Sequence, residues 1–267
     1  MAQSLQFRLK QITPVRDLML ISIVTPTFNS IRFINSTYLT IANQSHENWE
    51  WVVTDDCSSD GTYEYLCELA RKDHRIKVFR NESNAGAAVS RNNCLSNAKG
   101  DYISFLDADD LWSSNKLEIQ SKYMATNAVD FSFTAYKLID ESGDDLGQTV
   151  DTHQTGPLTY HDMLRKKATL GCSTVMMKAS TFQDYRMPLL RTGQDYAFWL
   201  KILKNGYNAY PIPNVLMHYR IVSDSISRNK FKKAKRQWQI YREIEKLNIF
   251  ESLFNFYCYA YRAVFRR

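Results

Sequence analysis

Three carboxylates, Asp107, Asp109 and Asp110, follow the apolar run 102–106 in the stretch GDYISFLDADDLW, residues 100–112. Carboxylates crowded this closely repel one another unless a cation sits among them, and the carboxyl end of a strand is where α/β proteins bind ligands. The pattern reads either as a hard-metal site holding a phosphorylated ligand or as an acidic turn capping a helix that begins near Ser113. A further acid, Asp195, follows Gln194 at the start of a predicted helix whose apolar face is Phe198, Trp199 and Ile202. By itself a first-turn acid there is accounted for by the helix dipole.

The elements that must position these groups alternate regularly. Residues 20–24 (LISIV) form a compact β-branched run stopped by Thr25-Pro26-Thr27-Phe28-Asn29, and apolar residues then recur at helical spacing to about Asn43. A second strand, 49–54, runs into Asp55-Asp56 and a Ser/Asp/Gly turn, whose short polar groups suit a base or ribose as well as the cap of helix 63–71. After a third strand at 76–79 come small residues and a helix over 89–98 carrying Arg91, which is suited to lie under a diphosphate. With strand 102–106 and helix 113–126, the order β, α, β, α, β, α, β, α predicts a mostly parallel, doubly wound sheet. Neither GxxxxGK[ST] nor GxGxxG occurs, so this is neither a P-loop nor a dinucleotide fingerprint.

With 44% hydrophobic and 23% charged residues, the 267-residue chain has the means to bury a full core. No apolar run reaches the length of a membrane span and residues 1–20 lack a continuous apolar region, so a cytoplasmic location is expected. Five cysteines without CxxC spacing fit reduced thiols rather than a disulfide framework or a zinc site. Of the net charge of +6, the segment from Arg228 onward contributes eleven Lys and Arg against three Glu, so the body is slightly negative and the tail basic. The tail interleaves these cations with aromatics, which fits a helix in an anionic membrane interface or a helix packed on the core with a solvated basic face. No nucleic-acid recognition motif accompanies the charge.

Five pieces taken together resemble the family-2 inverting glycosyltransferases of the GT-A fold, and bacterial O-antigen and lipopolysaccharide enzymes in particular. They are IVTPTFN (23–29), VTDDCSSDGT (53–62), NAGAAVSRN (84–92), GDYISFLDADD (100–110) and GQDYAFWLKI (193–202), in the family's order. The resemblance implies a Rossmann-like GT-A domain over 19–227, with a nucleotide-sugar half at 19–112 and an acceptor half at 113–227. Residues 1–18 would be a lead-in and 228–267 a helical appendage. It implies that Thr25, Pro26 and Asp56 hold uridine, that Asp107 touches ribose or a metal-bound water, and that Asp109 binds Mn²⁺ or Mg²⁺. Arg91 and Arg220 would face the diphosphate, with Ser223, Ser225 and Ser227 following Arg220. Asp195 falls where the family keeps its catalytic base, although Gln194 replaces the glutamate common in relatives. The implied partners are a UDP-sugar donor, a lipid-linked saccharide acceptor and an anionic membrane surface, with no nucleic acid. Two other readings stay open: a catalytically silent nucleotide-sugar-binding protein and a metal-dependent nucleotidyltransferase.

In the second half, 129–138 alternates like a half-buried strand, 140–147 reads as a hairpin tip, 158–165 as a short helix and 172–178 as a strand. Residues 169–173 are expected to form a pocket wall. Residues 211–213 are expected to close an edge segment separate from a strand over 215–220, and His218 is expected to be structural.

Overall fold

A computed structural model describes residues 19–222 and 230–265. Strands β1 (Ile21–Thr27), β2 (Trp49–Asp55), β3 (Ile76–Arg80) and β4 (Tyr102–Phe105) pair in parallel in the order β3-β2-β1-β4. Helices α1 (Ile31–Ala42), α2 (Thr62–Lys72) and α3 (Ala87–Asn97) make the crossovers. Strands β1, β2 and β4 are almost continuously buried, as a sheet covered on both faces requires, while β3 at the edge is buried only at Ile76. Ile21 and Ile23 join Trp51, Ile34, Leu66 and Leu117 on one face, while Val24 joins Val52, Cys94, Phe105 and Trp199 on the other. Gly100 lies where a β-carbon would stand 2.6 Å from the Ser22 backbone nitrogen, so the turn into β4 presses directly on β1.

Beyond β4 the sheet turns mixed. A two-residue strand β5 (Leu111–Trp112) and helix α4 (Lys116–Thr126) lead to β6 (Phe131–Ile139), which forms a hairpin with β7 (Asp145–Val150). After α5 (Tyr160–Leu164), the expected strand 172–178 opens as a 3-10 turn at Cys172–Thr174 before β8 (Val175–Lys178). Strand β8 runs antiparallel between β4 and β6, and α6 (Ala179–Phe182) and α7 (Gln194–Lys204) follow. Residues 211–213 and 215–220 belong to one strand, β9 (Tyr210–Arg220); its register against β6 shifts near Ala135, which lets it absorb two prolines. β9 lies between β6 and β5.

The tail packs on the domain. Helix α8 (Lys230–Gln239) continues into a π-helical turn at Ile240–Ile244 that buries Ile240 and Tyr241 in the core, and α9 (Ile249–Phe265) crosses it. Among the described residues no helix is long and apolar enough to cross a membrane. The lead-in 1–18 and Ser223, Ser225 and Ser227 lie outside the described residues.

Candidate active site

The aromatic face of α7 brings the distant carboxylates together. Trp199 and Phe198 pack edge-on against Phe105 of β4, with ring centroids 5.4 and 6.5 Å apart. Truncating a buried aromatic of this kind costs about 3–5 kcal/mol, so the helix is held firmly to the strand. Asp195 at the start of α7 and Asp107 just past β4 therefore line one cavity of about 610 Å³.

The turn after β4 is braced from three sides. The Ser173 hydroxyl donates to Asp110 Oδ2 at 2.6 Å and accepts from the Asp107 backbone at 3.0 Å. The Arg220 backbone N–H donates to Asp110 Oδ1 at 3.1 Å, and the Thr37 hydroxyl of α1 reaches the carbonyls of Ala108 and Asp110. Burial, then the neighbouring Asp109 and Asp107, raise the Asp110 carboxyl well above the carboxylate range. Asp110 is a strut, with both oxygens committed inside the fold. The expected pocket wall at 169–173 lines the cavity at Thr169, Leu170, Gly171 and Cys172, while Ser173 is the hub beneath it.

Arg91 is buried behind Asp107, donating from Nη2 to Asp107 Oδ1 at 2.5 Å, while Nε and Nη1 are buried with no partner. Burial opposes its charge, but Asp107 outweighs that and keeps the guanidinium protonated. Burial and the Asp107 charge push the Asp109 carboxyl up to about 6. Among the described residues no side chain hydrogen-bonds this carboxylate, and no cluster of three ligating side chains exists. Crowded carboxylates of which one, Asp109, has no side-chain partner among the described residues fit a hard divalent cation whose other ligands are diphosphate oxygens and water. Asp109 would hold such an ion with Asp107 beside it.

Other expected residues sit differently. Thr25 is fully buried and its hydroxyl accepts the Trp51 indole N–H at 2.8 Å, so its side chain faces the core and leaves only its backbone for the expected uridine contact. Asp56 is spent largely on its own fold: it accepts from Asn81 Nδ2 at 2.7 Å, the Ala85 N–H at 2.9 Å and the Gly86 N–H at 2.7 Å, which ties down the loop before α3. Pro26 is half-buried near the end of β1, away from the cavity lining. Arg220 is buried and binds the carbonyls of Asp109, Asp140 and Glu141 through Nε and Nη1, so much of its donor capacity ties β9 to two loops.

Sequence reasoning missed the wall built by the tail. Lys233, Arg236, Gln237 and Ile240 line the cavity from α8 and the turn after it, and Tyr259 and Arg262 line it from α9. The signal was present as the spacing 233, 236, 237, 240, which makes one face of a helix.

The family model for glycosyl transferase family 2 matches residues 22–186. The chain is 43% identical over 248 residues, 93% of its length and 97% of the relative's, to TuaG of Bacillus subtilis, a glycosyltransferase assigned provisionally to teichuronic acid biosynthesis. It is 37% identical over 222 residues, 83% of its length and 85% of the relative's, to the Escherichia coli UDP-Glc:alpha-D-GlcNAc-diphosphoundecaprenol beta-1,3-glucosyltransferase WfgD. Its fold matches S. aureus TarS 1-349, solved with UDP-GlcNAc, at a TM-score of 0.71 and 22% identity over 85% of this chain and 65% of that one. With the GT-A arrangement of sheet and helices in place, the chain belongs to glycosyl transferase family 2.

Proposed function

We propose that this glycosyltransferase moves a hexose or N-acetylhexosamine from a UDP-sugar to a hydroxyl of a lipid-linked saccharide, with inversion, during assembly of a bacterial surface polysaccharide. The observation that carries this reading is Arg91. A guanidinium with two buried, unpartnered nitrogens beside Asp107 is arranged for an anion of phosphate geometry. WfgD, by its name, transfers glucose from UDP-Glc to a diphosphoundecaprenol-linked sugar, which supports the same donor and acceptor classes here.

In this reading Arg91 and Arg220 orient the donor diphosphate, and Pro26 and the remaining lone pair of Asp56 border the uridine. Asp195, across the cavity, takes the proton from the acceptor hydroxyl as its oxygen bonds to the anomeric carbon. The bond from that carbon to the diphosphate oxygen breaks through a transition state with oxocarbenium character, and UDP leaves with the electron pair. No covalent enzyme intermediate forms. A bound Mn²⁺ or Mg²⁺ at Asp109 supplies charge neutralisation for the departing diphosphate. Exposed Phe250, Leu253, Phe254, Tyr257 and Tyr261 on α9 support peripheral contact with the inner face of the cell membrane.

The test is calorimetric titration of UDP-glucose, UDP-galactose, UDP-N-acetylglucosamine and GDP-mannose, each with and without Mn²⁺. One UDP-sugar is expected to bind with metal, and Asp109→Asn is expected to remove the metal dependence. Tight binding of GDP-mannose alone, or pyrophosphate release from a nucleoside triphosphate, would overturn the donor assignment.

A further inference from the structure

The half of the cavity facing Asp195 carries cations that the donor reading does not use. Lys166 comes from the loop after α5, Lys233 and Arg236 from α8, and Arg262 from α9. Among the lining residues on that side, Asp195 is the single carboxylate. The three cations of the helical tail also lie outside the segment matched by the family model. Partial desolvation, and then the neighbouring Arg236, hold the Lys233 ammonium below its usual value.

Local structure fixes this cluster in place. A β-carbon on Gly193, the residue before α7, would stand 2.7 Å from Arg236 Cδ and 3.3 Å from Ile240 Cδ1. The Arg236 stem therefore lies across the very start of the helix that carries Asp195. Beside it Gln237 is buried at the cavity wall, its side chain turned to the Tyr196 and Tyr241 hydroxyls.

The geometry points to a second anion site, in which Arg236, Arg262 and Lys233 bind the diphosphate of the acceptor on the side of the cavity that carries Asp195. This rests on the glycosyltransferase reading above and deepens it by naming the acceptor class. Three cations drawn from two helices exceed what one sugar carboxylate needs, whereas a diphosphate offers several acceptor oxygens and two or more charges. The acceptor sugar would then lie between its own diphosphate and the base, so the sugar receiving the new bond is the one attached directly to the diphosphate.

The experiment uses the full chain with UDP and Mn²⁺ filling the donor site. Two synthetic probes are titrated: an N-acetylglucosaminyl diphosphate bearing a short alkyl tail, and the matching alkyl glycoside without phosphates. The wild type is expected to prefer the diphosphate probe by at least about tenfold, the free-energy equivalent of one good charged contact. The double variant Arg236→Gln/Arg262→Gln is expected to lose that preference while keeping its UDP affinity. Lys235→Gln, on the same helix but off the cavity, is expected to match the wild type. Absence of preference in the wild type, or its survival in the double variant, overturns the proposal. So does loss of UDP affinity in a variant whose melting temperature is unchanged, because the cations would then belong to the donor. If the double variant melts early, Arg262→Gln alone decides by the same criteria. Should the wild type bind no UDP, the donor reading fails, and the probe preference measured without UDP still decides this site.

Discussion

Replacing Arg91 with methionine sets binding against stability in a way the structure resolves. Two of its three guanidinium nitrogens are buried without partners, each at a cost of about 1–3 kcal/mol. The third pairs with Asp107, whose side chain is 29% exposed, so solvent takes over part of that charge once the arginine is gone. With Arg91 itself buried and Asp107 partly exposed, the pair lies between a surface pair, worth up to about 1 kcal/mol, and a buried one whose gain desolvation largely cancels, so the two orphaned nitrogens together match or outweigh it. Arg91→Met is thus expected to leave unfolding free energy unchanged or to raise it, measured by urea titration of the metal-free protein. UDP affinity moves the other way: losing a charged hydrogen bond to diphosphate costs about 1.5–3 kcal/mol, roughly a 10- to 150-fold weaker Kd by calorimetry with Mn²⁺. A variant that loses more than about 2 kcal/mol of stability while binding UDP normally would refute the reasoning, because Arg91 would then be a strut of the kind Asp110 is.

Further outcomes follow from other groups. Asp195→Asn is expected to lower the transfer rate by about 10²–10⁴-fold with UDP affinity intact; full activity in that variant would remove Asp195 from the proton transfer. Gly193→Ala combines a β-carbon 2.7 Å from Arg236 with a φ of +71°, so beyond about 1–2 kcal/mol of backbone strain it should raise the acceptor KM more than the donor KM. Lys116 is buried, with Nζ 2.7 Å from Ser104 Oγ and over the Trp112 ring, and burial drives its pKa well below the usual lysine value. The unfolded chain binds this proton more readily than the folded one, so stability should rise with pH between the depressed folded value and about 10.4. Lys116→Met should flatten that slope in thermal melts across pH; an unchanged slope would assign it to another group.

Much of the fold was legible because its signals are local. Runs such as LISIV and WEWVVT are strands wherever they pack, and the polar residues that stop them mark the ligand-binding edge. The carboxylates after β4 and Asp195 at the start of α7 were likewise visible as residue types in context. What stayed hidden depends on partners distant in sequence. Nothing near Thr25 announces that Trp51 will take its hydroxyl, and nothing near Asp56 announces the loop over Ala85 and Gly86. Ser173 sits in CSTVMMK, which reads as a strand, yet its hub role comes from Asp110, 63 residues earlier. The basic tail read equally well as membrane-facing or packed because periodicity gives a helix its face without saying what covers it. Strand β5 was missed because two residues carry no period at all.

The place of β9 bears on how the polypeptide becomes competent. This strand slots between β6 and β5, and its last residue, Arg220, supplies the N–H that seats Asp110 and the guanidinium contact to the Asp109 carbonyl. During synthesis the parallel sheet of β1 to β4 precedes it by more than a hundred residues, so the acidic turn emerges long before its brace. Non-local closure of this kind is slow relative to local pairing. The nascent chain thus acquires its donor-side scaffold early and its ordered carboxylates late, and a folding intermediate lacking β9 would present a loose acidic loop in place of a site.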